Sequence, residues 1–168
     1  MKKLITIIPL VFLLCFASGC QTTTEVEPVD LTAAKNAVNT ILDNYYEAME
    51  AKDINTLANL LTDDGLYCGT DPEEFWNKKE CLELLEGMFS NESFVFNVSI
   101  DKREIRIDAD GNSATCVDQF TYEPISQKIP IRTIFHFVKI GDDWKNDFIS
   151  WSLVPKNADL PKLDKALE

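Results

Sequence analysis

The chain has 168 residues, 45% hydrophobic and 26% charged, which suits one globular domain with its own core. Its formal net charge of −12 repels phosphate backbones and anionic headgroups, so nucleic acid is excluded as a partner. One histidine and five cysteines, with no Cys-x-x-Cys and no His-Glu-x-x-His, exclude a zinc site, and no cofactor motif is present.

Met1-Lys2-Lys3 opens the chain with positive charge. Residues 4–17 are then apolar apart from Thr6, with Pro9 interrupting them. That length fits the hydrophobic region of an export signal and is short for a bilayer span. The run ends in Ala17-Ser18-Gly19-Cys20, which resembles the bacterial lipobox. There the cysteine thiol takes a diacylglycerol, the chain is cut before it, and the new amine is acylated. The resemblance implies a signal peptide over 1–19 and lipidation at Cys20, although Ala17 stands where the lipobox most often has Leu. The plainer alternative is a secretory signal with an incidental Cys20. Gln21, not Asp, follows the cysteine, which implies the outer membrane in a diderm cell. In a monoderm the same anchor places the domain on the outer face of the membrane. Cleavage would remove Lys2 and Lys3 and leave 14 basic against 28 acidic residues. Residues 20–30 are polar, contain Pro28 and show no periodicity, so they read as a lipidated tether.

Asp30 or Thr32 caps a predicted helix running to about Ala51, with Leu31, Ala34, Val38, Ile41, Leu42, Tyr45, Ala48 and Met49 on one apolar stripe. Asp53 caps a short second helix, which Asp63-Asp64-Gly65 ends. Leu66-Tyr67-Cys68 reads as a short strand and 73–89 as a third helix. Four runs rich in Val, Ile, Thr and aromatics follow at 94–108, 113–123, 130–140 and 143–153, forming an antiparallel meander. Asp110-Gly111 and Gly141-Asp142 are its tight turns. Helices segregated before long antiparallel strands make an α+β domain over 31–155, with residues 156–168 a tail or short helix.

Tyr45-Tyr46-Glu47-Ala48-Met49, Leu60-Leu61-Thr62-Asp63-Asp64-Gly65, Gly69-Thr70-Asp71-Pro72 with Trp76, and Gly141-Asp142-Asp143-Trp144-Lys145 together resemble SnoaL-like members of the nuclear-transport-factor-2-like superfamily. The resemblance implies a cone-shaped α+β fold in which about three N-terminal helices pack on a bent antiparallel sheet. Such folds host enzymes, binders and scaffolds, so the fold leaves the function open. It also implies that Asp71 and Trp76 cap the mouth of the cone. Related sequences often carry His-x-Ser where this chain has Ser150-Trp151-Ser152, which removes an expected acid/base group.

Pairing Ile140 with Asp143 and Phe120 with Ile134 divides the sheet into two faces. One carries Gln119, Thr133, Phe135, Phe137, Trp144, Phe148 and Ser150 and is read as the core and pocket side. The other carries Asp118, Arg132, His136 and Asp147. These last carboxylates and the imidazole form either a general-base row, which is the catalytic alternative, or a cross-strand charge ladder, which is preferred. Cys68, Cys81 and Cys116 remain in the domain, either as buried thiols or with Cys68 and Cys81 paired. Residues 108–112 resemble a calcium loop but lack its closing Glu and read as a turn.

The sequence therefore predicts an envelope lipoprotein whose SnoaL-like domain binds a small, largely apolar molecule. Its pocket would be walled by Tyr45, Trp76, Phe135, Phe137 and Phe148, with Asp71, Gln119, Thr133 and Ser150 as polar contacts. The alternatives are a lyase, isomerase or hydrolase using a pocket carboxylate, and a scaffold that dimerises through the outer sheet face. A homodimer is expected, held at the membrane by its N-terminal lipid.

Overall fold

A computed structural model of the chain describes residues 30–168, so the predicted signal peptide and the predicted lipidation at Cys20 lie outside the described residues. Helix α1, Leu31–Ala51, starts where Asp30 accepts hydrogen bonds from the Thr32 and Ala33 amides. It buries Val38, Leu42, Tyr45, Ala48 and Met49 along one stripe. Lys52, in the left-handed conformation, turns the chain out of it. Asp53 caps α2, Ile54–Leu60, through the Thr56 amide.

The next segment departs from expectation. Asp63-Asp64-Gly65 does not end in a turn but runs inside strand β1, Leu61–Cys68. Residues 73–76 are not the start of a helix. They form a turn and a two-residue strand β2, Phe75–Trp76, which folds back on β1. Helix α3, Lys78–Ser90, begins only at Asn77, where a reciprocal capping box with Glu80 satisfies both backbone donors. That box outcompetes Pro72 as the helix start.

The meander follows as β3 (Lys102–Ile107), β4 (Ser113–Phe120), β5 (Ile131–Ile140) and β6 (Asp143–Leu153). Residues 94–100, expected as strand, have no regular structure. Gly141, at φ 65°, makes the tight turn that pairs Ile140 with Asp143 as the sequence predicts. The tail carries a single turn of 3₁₀ helix at Asn157–Asp159 and a short helix α4, Leu160–Ala166. The sheet order is β2-β1-β6-β5-β4-β3. It is curved and mixed, because β1 lies parallel to β6 while every other pairing is antiparallel. Helices on one side of such a sheet give the expected α+β cone.

Two register effects decide which side chains face the helices. Phe120 pairs with Ile131, not Ile134, so Asp118 sits opposite Thr133. An odd shift of three residues carries every β4 side chain to the other face. The second effect is a bulge in β6. His136 pairs with Phe148 and Phe137 with Asn146, which leaves Asp147 without a partner. Asn146, only 2% exposed, fastens the bulge by donating from Nδ2 to the His136 and Phe148 carbonyls. Tyr67 adds a hydrogen bond from its hydroxyl to the Asn146 carbonyl at 3.1 Å. Beyond the bulge, Ile149 is buried and Trp151 packs on the core in place of Phe148 and Ser150.

Candidate functional site

The interior holds two separate features: a buried charge cluster and an apolar cavity. Asp118 in β4 is fully buried. Arg103, across from it on β3, donates to both of its oxygens, from Nε at 2.9 Å and from Nη2 at 3.0 Å. The remaining guanidinium edge reaches α1, where Nη1 donates to Asn39 at 3.0 Å and to Asp43 at 2.5 Å. The guanidinium also lies 5.8 Å from the centre of the Tyr46 ring. Burial and the neighbouring Asp118 charge push the Tyr46 phenol up, and its hydroxyl makes no hydrogen bond. Cys116, beside Asp118, is held as a thiol by burial and by the same charge. Both oxygens of the Asp118 carboxylate are thus engaged by one guanidinium in charge-assisted hydrogen bonds.

The cavity lies between the C-terminal half of α1, the end of β1, α3, the 94–96 segment and β6, and encloses about 210 Å³. Tyr45 and Met49 reach it from α1, Cys81 and Leu85 from α3, Tyr67 from β1, and Ile149 and Trp151 from β6. Leu84 and Ile125, which also line it, are 37% and 43% exposed, so the cavity opens to solvent beside them. Its walls desolvate whatever they touch. Burial pushes the Tyr45 phenol up, the Tyr67 phenol up to about 12 and the Cys81 thiol up to about 11, so all three are protonated at neutral pH. Cys68 and Cys81 both line the cavity and are free thiols rather than a disulfide.

The predicted ligand-binding residues divide into four groups. Tyr45 and Trp76 line the cavity. Thr133, Phe135 and Phe137 face the helices but are sealed into the packed core, and the Thr133 hydroxyl makes no hydrogen bond there. Gln119, Phe148 and Ser150 are turned away by the β4 register and the β6 bulge. Gln119 instead accepts a hydrogen bond from Arg132 on the outer side. Asp71 is exposed, does not line the cavity, and accepts the Glu73 amide in its turn. The predicted row of Asp118, His136 and Asp147 is split. His136 and Asp147 meet at 2.6 Å on the outer face, 36% and 30% exposed. Asp118 points to the interior, opposite to the face assigned from sequence.

Much of the cavity wall comes from residues that the sequence analysis did not assign to it. Phe94 and Phe96 stand in the segment expected as strand, and Glu74 in the stretch expected as helix. Ile149 and Trp151 are brought in by the bulge. The signal for that bulge was the polar pair Asn146-Asp147 in the middle of an otherwise alternating strand.

Residues 38–155 match the family model described as a SnoaL-like domain. No curated protein sequence matches the chain. Among solved structures, the chain is similar to a protein of unknown function from the DUF3225 family of Pectobacterium atrosepticum, with a TM-score of 0.63 at 17% identity, over 73% of this chain and 92% of that one. It is equally similar to an NTF2-like protein of unknown function from Pseudomonas putida, with a TM-score of 0.63 at 15% identity, over 75% and 90%. An uncharacterised protein with a cystatin-like fold from Caulobacter vibrioides gives a TM-score of 0.60 at 16% identity, over 80% and 98%. At these identities the likeness is one of fold.

Proposed function

The chain belongs to the SnoaL-like domain family, and we propose that its domain binds one small, largely apolar molecule in the cavity between α1, α3 and the sheet. The observation that supports this is a cavity of about 210 Å³, larger than the roughly 150 Å³ engineered cavity that admits benzene, with walls that are mostly aromatic and aliphatic. Binding is favoured over turnover because Asp118, the interior member of the predicted acid–base row, is paired with Arg103 outside the cavity, and Glu74, the carboxylate that does line it, has no imidazole beside it among the described residues. The imidazole–carboxylate pair of His136 and Asp147 sits on the other face of the sheet. Toluene, added to the purified protein, should raise its melting temperature in proportion to the logarithm of concentration, as a ligand of the native state does. Leu84→Trp, at the half-exposed opening, should fill the cavity and remove that shift. A melting temperature indifferent to toluene, or a shift that Leu84→Trp leaves intact, sinks the reading.

We further propose that the domain is held at the cell envelope by lipid on Cys20. The support is the apolar run ending in Ala17-Ser18-Gly19-Cys20. The two acyl chains of a thioether-linked diacylglycerol, with a third on the amine, anchor far more firmly than one chain would, because each buried CH₂ contributes roughly 0.8 kcal/mol. Mass spectrometry of the mature N-terminus should find an acylated Cys20, and Cys20→Ala should release the protein from membranes. An unmodified chain beginning elsewhere ends the proposal.

A further inference from the structure

We propose that the molecule taken by the cavity is a small organic cation, a quaternary or tertiary ammonium with apolar substituents. This rests on the reading of the cavity as a ligand site and narrows it to a chemical class. Seven of the lining residues are aromatic, among them Tyr45, Tyr67, Trp76 and Trp151. Among the described residues, Glu74 is the only acidic side chain that lines the cavity, and no lysine, arginine or histidine lines it. Aromatic faces present negative potential, and a cation resting on them is attracted most strongly where water is excluded. A single carboxylate in such a wall supplies the counter-charge.

The backbone delivers that carboxylate on purpose-built geometry. The β2 hairpin returns along the end of β1, and the Gly69 amide donates to the Glu74 carbonyl at 3.1 Å. The Glu74 side chain then lies over Gly69. A Cβ at position 69 would stand 2.0 Å from Glu74 Oε2 and 2.8 Å from Trp76 Cη2. The carboxylate and the indole therefore converge on the space that glycine leaves empty. Oε2 accepts the Asp71 amide at 2.9 Å, and a carboxylate retains further acceptor sites beyond that one.

Other ligand classes fit less well. An anion would meet Glu74 and a chain of net charge −12, with no cation in the wall to offset them. A neutral apolar molecule would cover a half-buried carboxylate and leave it only the Asp71 amide as compensation, which is costly. Asp118 makes the contrast: the sheet buries that carboxylate too, but supplies Arg103 for it. Glu74 has no such partner in the cavity wall, and an ammonium ligand would provide one.

The test compares choline with its neutral isostere 3,3-dimethyl-1-butanol on the purified full chain, by calorimetry and by the fluorescence of Trp76 and Trp151. Choline should bind about tenfold more tightly than the alcohol. Glu74→Gln keeps an oxygen for the Asp71 amide and so should fold normally. It should bring the two affinities within about threefold of each other by weakening choline alone. Equal affinities in the native protein, or a preference that survives Glu74→Gln, overturn the cation assignment while the toluene response still stands. Binding of toluene without either probe does the same. If neither the two probes nor toluene binds, the cavity reading falls as well.

Discussion

Arg103→Leu is expected to destabilise the protein by about 3–5 kcal/mol, a large part of a typical domain's stability. The loss comes less from the broken bonds than from what remains: Asp118, fully buried, would be left with no donor fork against it. Asp43→Ala, on the same guanidinium, should cost less than about 1 kcal/mol, because its side chain is 52% exposed and water takes over the pairing. The double change Arg103→Met with Asp118→Leu should recover most of the loss, since apolar groups of similar size can replace a buried pair. Urea unfolding of the variants separates these cases. If Arg103→Leu costs under about 1 kcal/mol, or the double change is as unstable as the single one, the cluster is not the buried pair described above.

Phe135→Ala should cost a similar amount, about 3–5 kcal/mol, for a different reason. Phe135 is 1% exposed and stands at the centre of an aromatic stack. Its ring lies 5.2 Å from Tyr45, 6.1 Å from Tyr46 and 6.0 Å from Phe137. Truncation leaves a void against α1 that packed neighbours fill only in part. Phe148→Ala, by contrast, should cost less than half as much, because the bulge leaves that ring half-buried on the outer face. Equal costs for the two would mean that β6 keeps a regular register through residue 147. The measurement is again the urea midpoint at constant slope.

These two residues mark the boundary of what the sequence makes legible. Helix caps at Asp30 and Asp53, the Gly141 turn and the limits of β5 and β6 follow from local chemistry, and local chemistry is written in adjacent residues. Phe135 and Phe137 are read as core correctly because alternation within one strand survives any choice of partner. Asp118, Phe148 and Ser150 are misplaced because their face depends on pairing across strands. The 124–130 connection does not fix the first pairing, and the bulge breaks the second. The cavity is harder still. Its wall is assembled from a turn, irregular segments and five regular elements that periodicity treats separately, and Glu74 enters it only because 73–76 is a hairpin and not a helix. Family resemblance supplied the cone, and placed Trp76 at the cavity, without supplying the register inside it.

The parallel pairing of β1 with β6 has a consequence for how the molecule comes into being. Leu66 finds Phe148 as its partner, so some eighty residues of chain must be made before that edge can close. The hairpins β3–β4, β4–β5 and β5–β6 need only near neighbours and can zip in sequence, and α1 can pack on β3 and β5 once these exist, whereas β1 has no sheet edge to join until β6 exists. Loop-closure entropy thus orders assembly from the C-terminal side inward. During synthesis β1 waits, one edge unpaired, for the strand that is made last. The chain commits to its native topology only when it is almost complete.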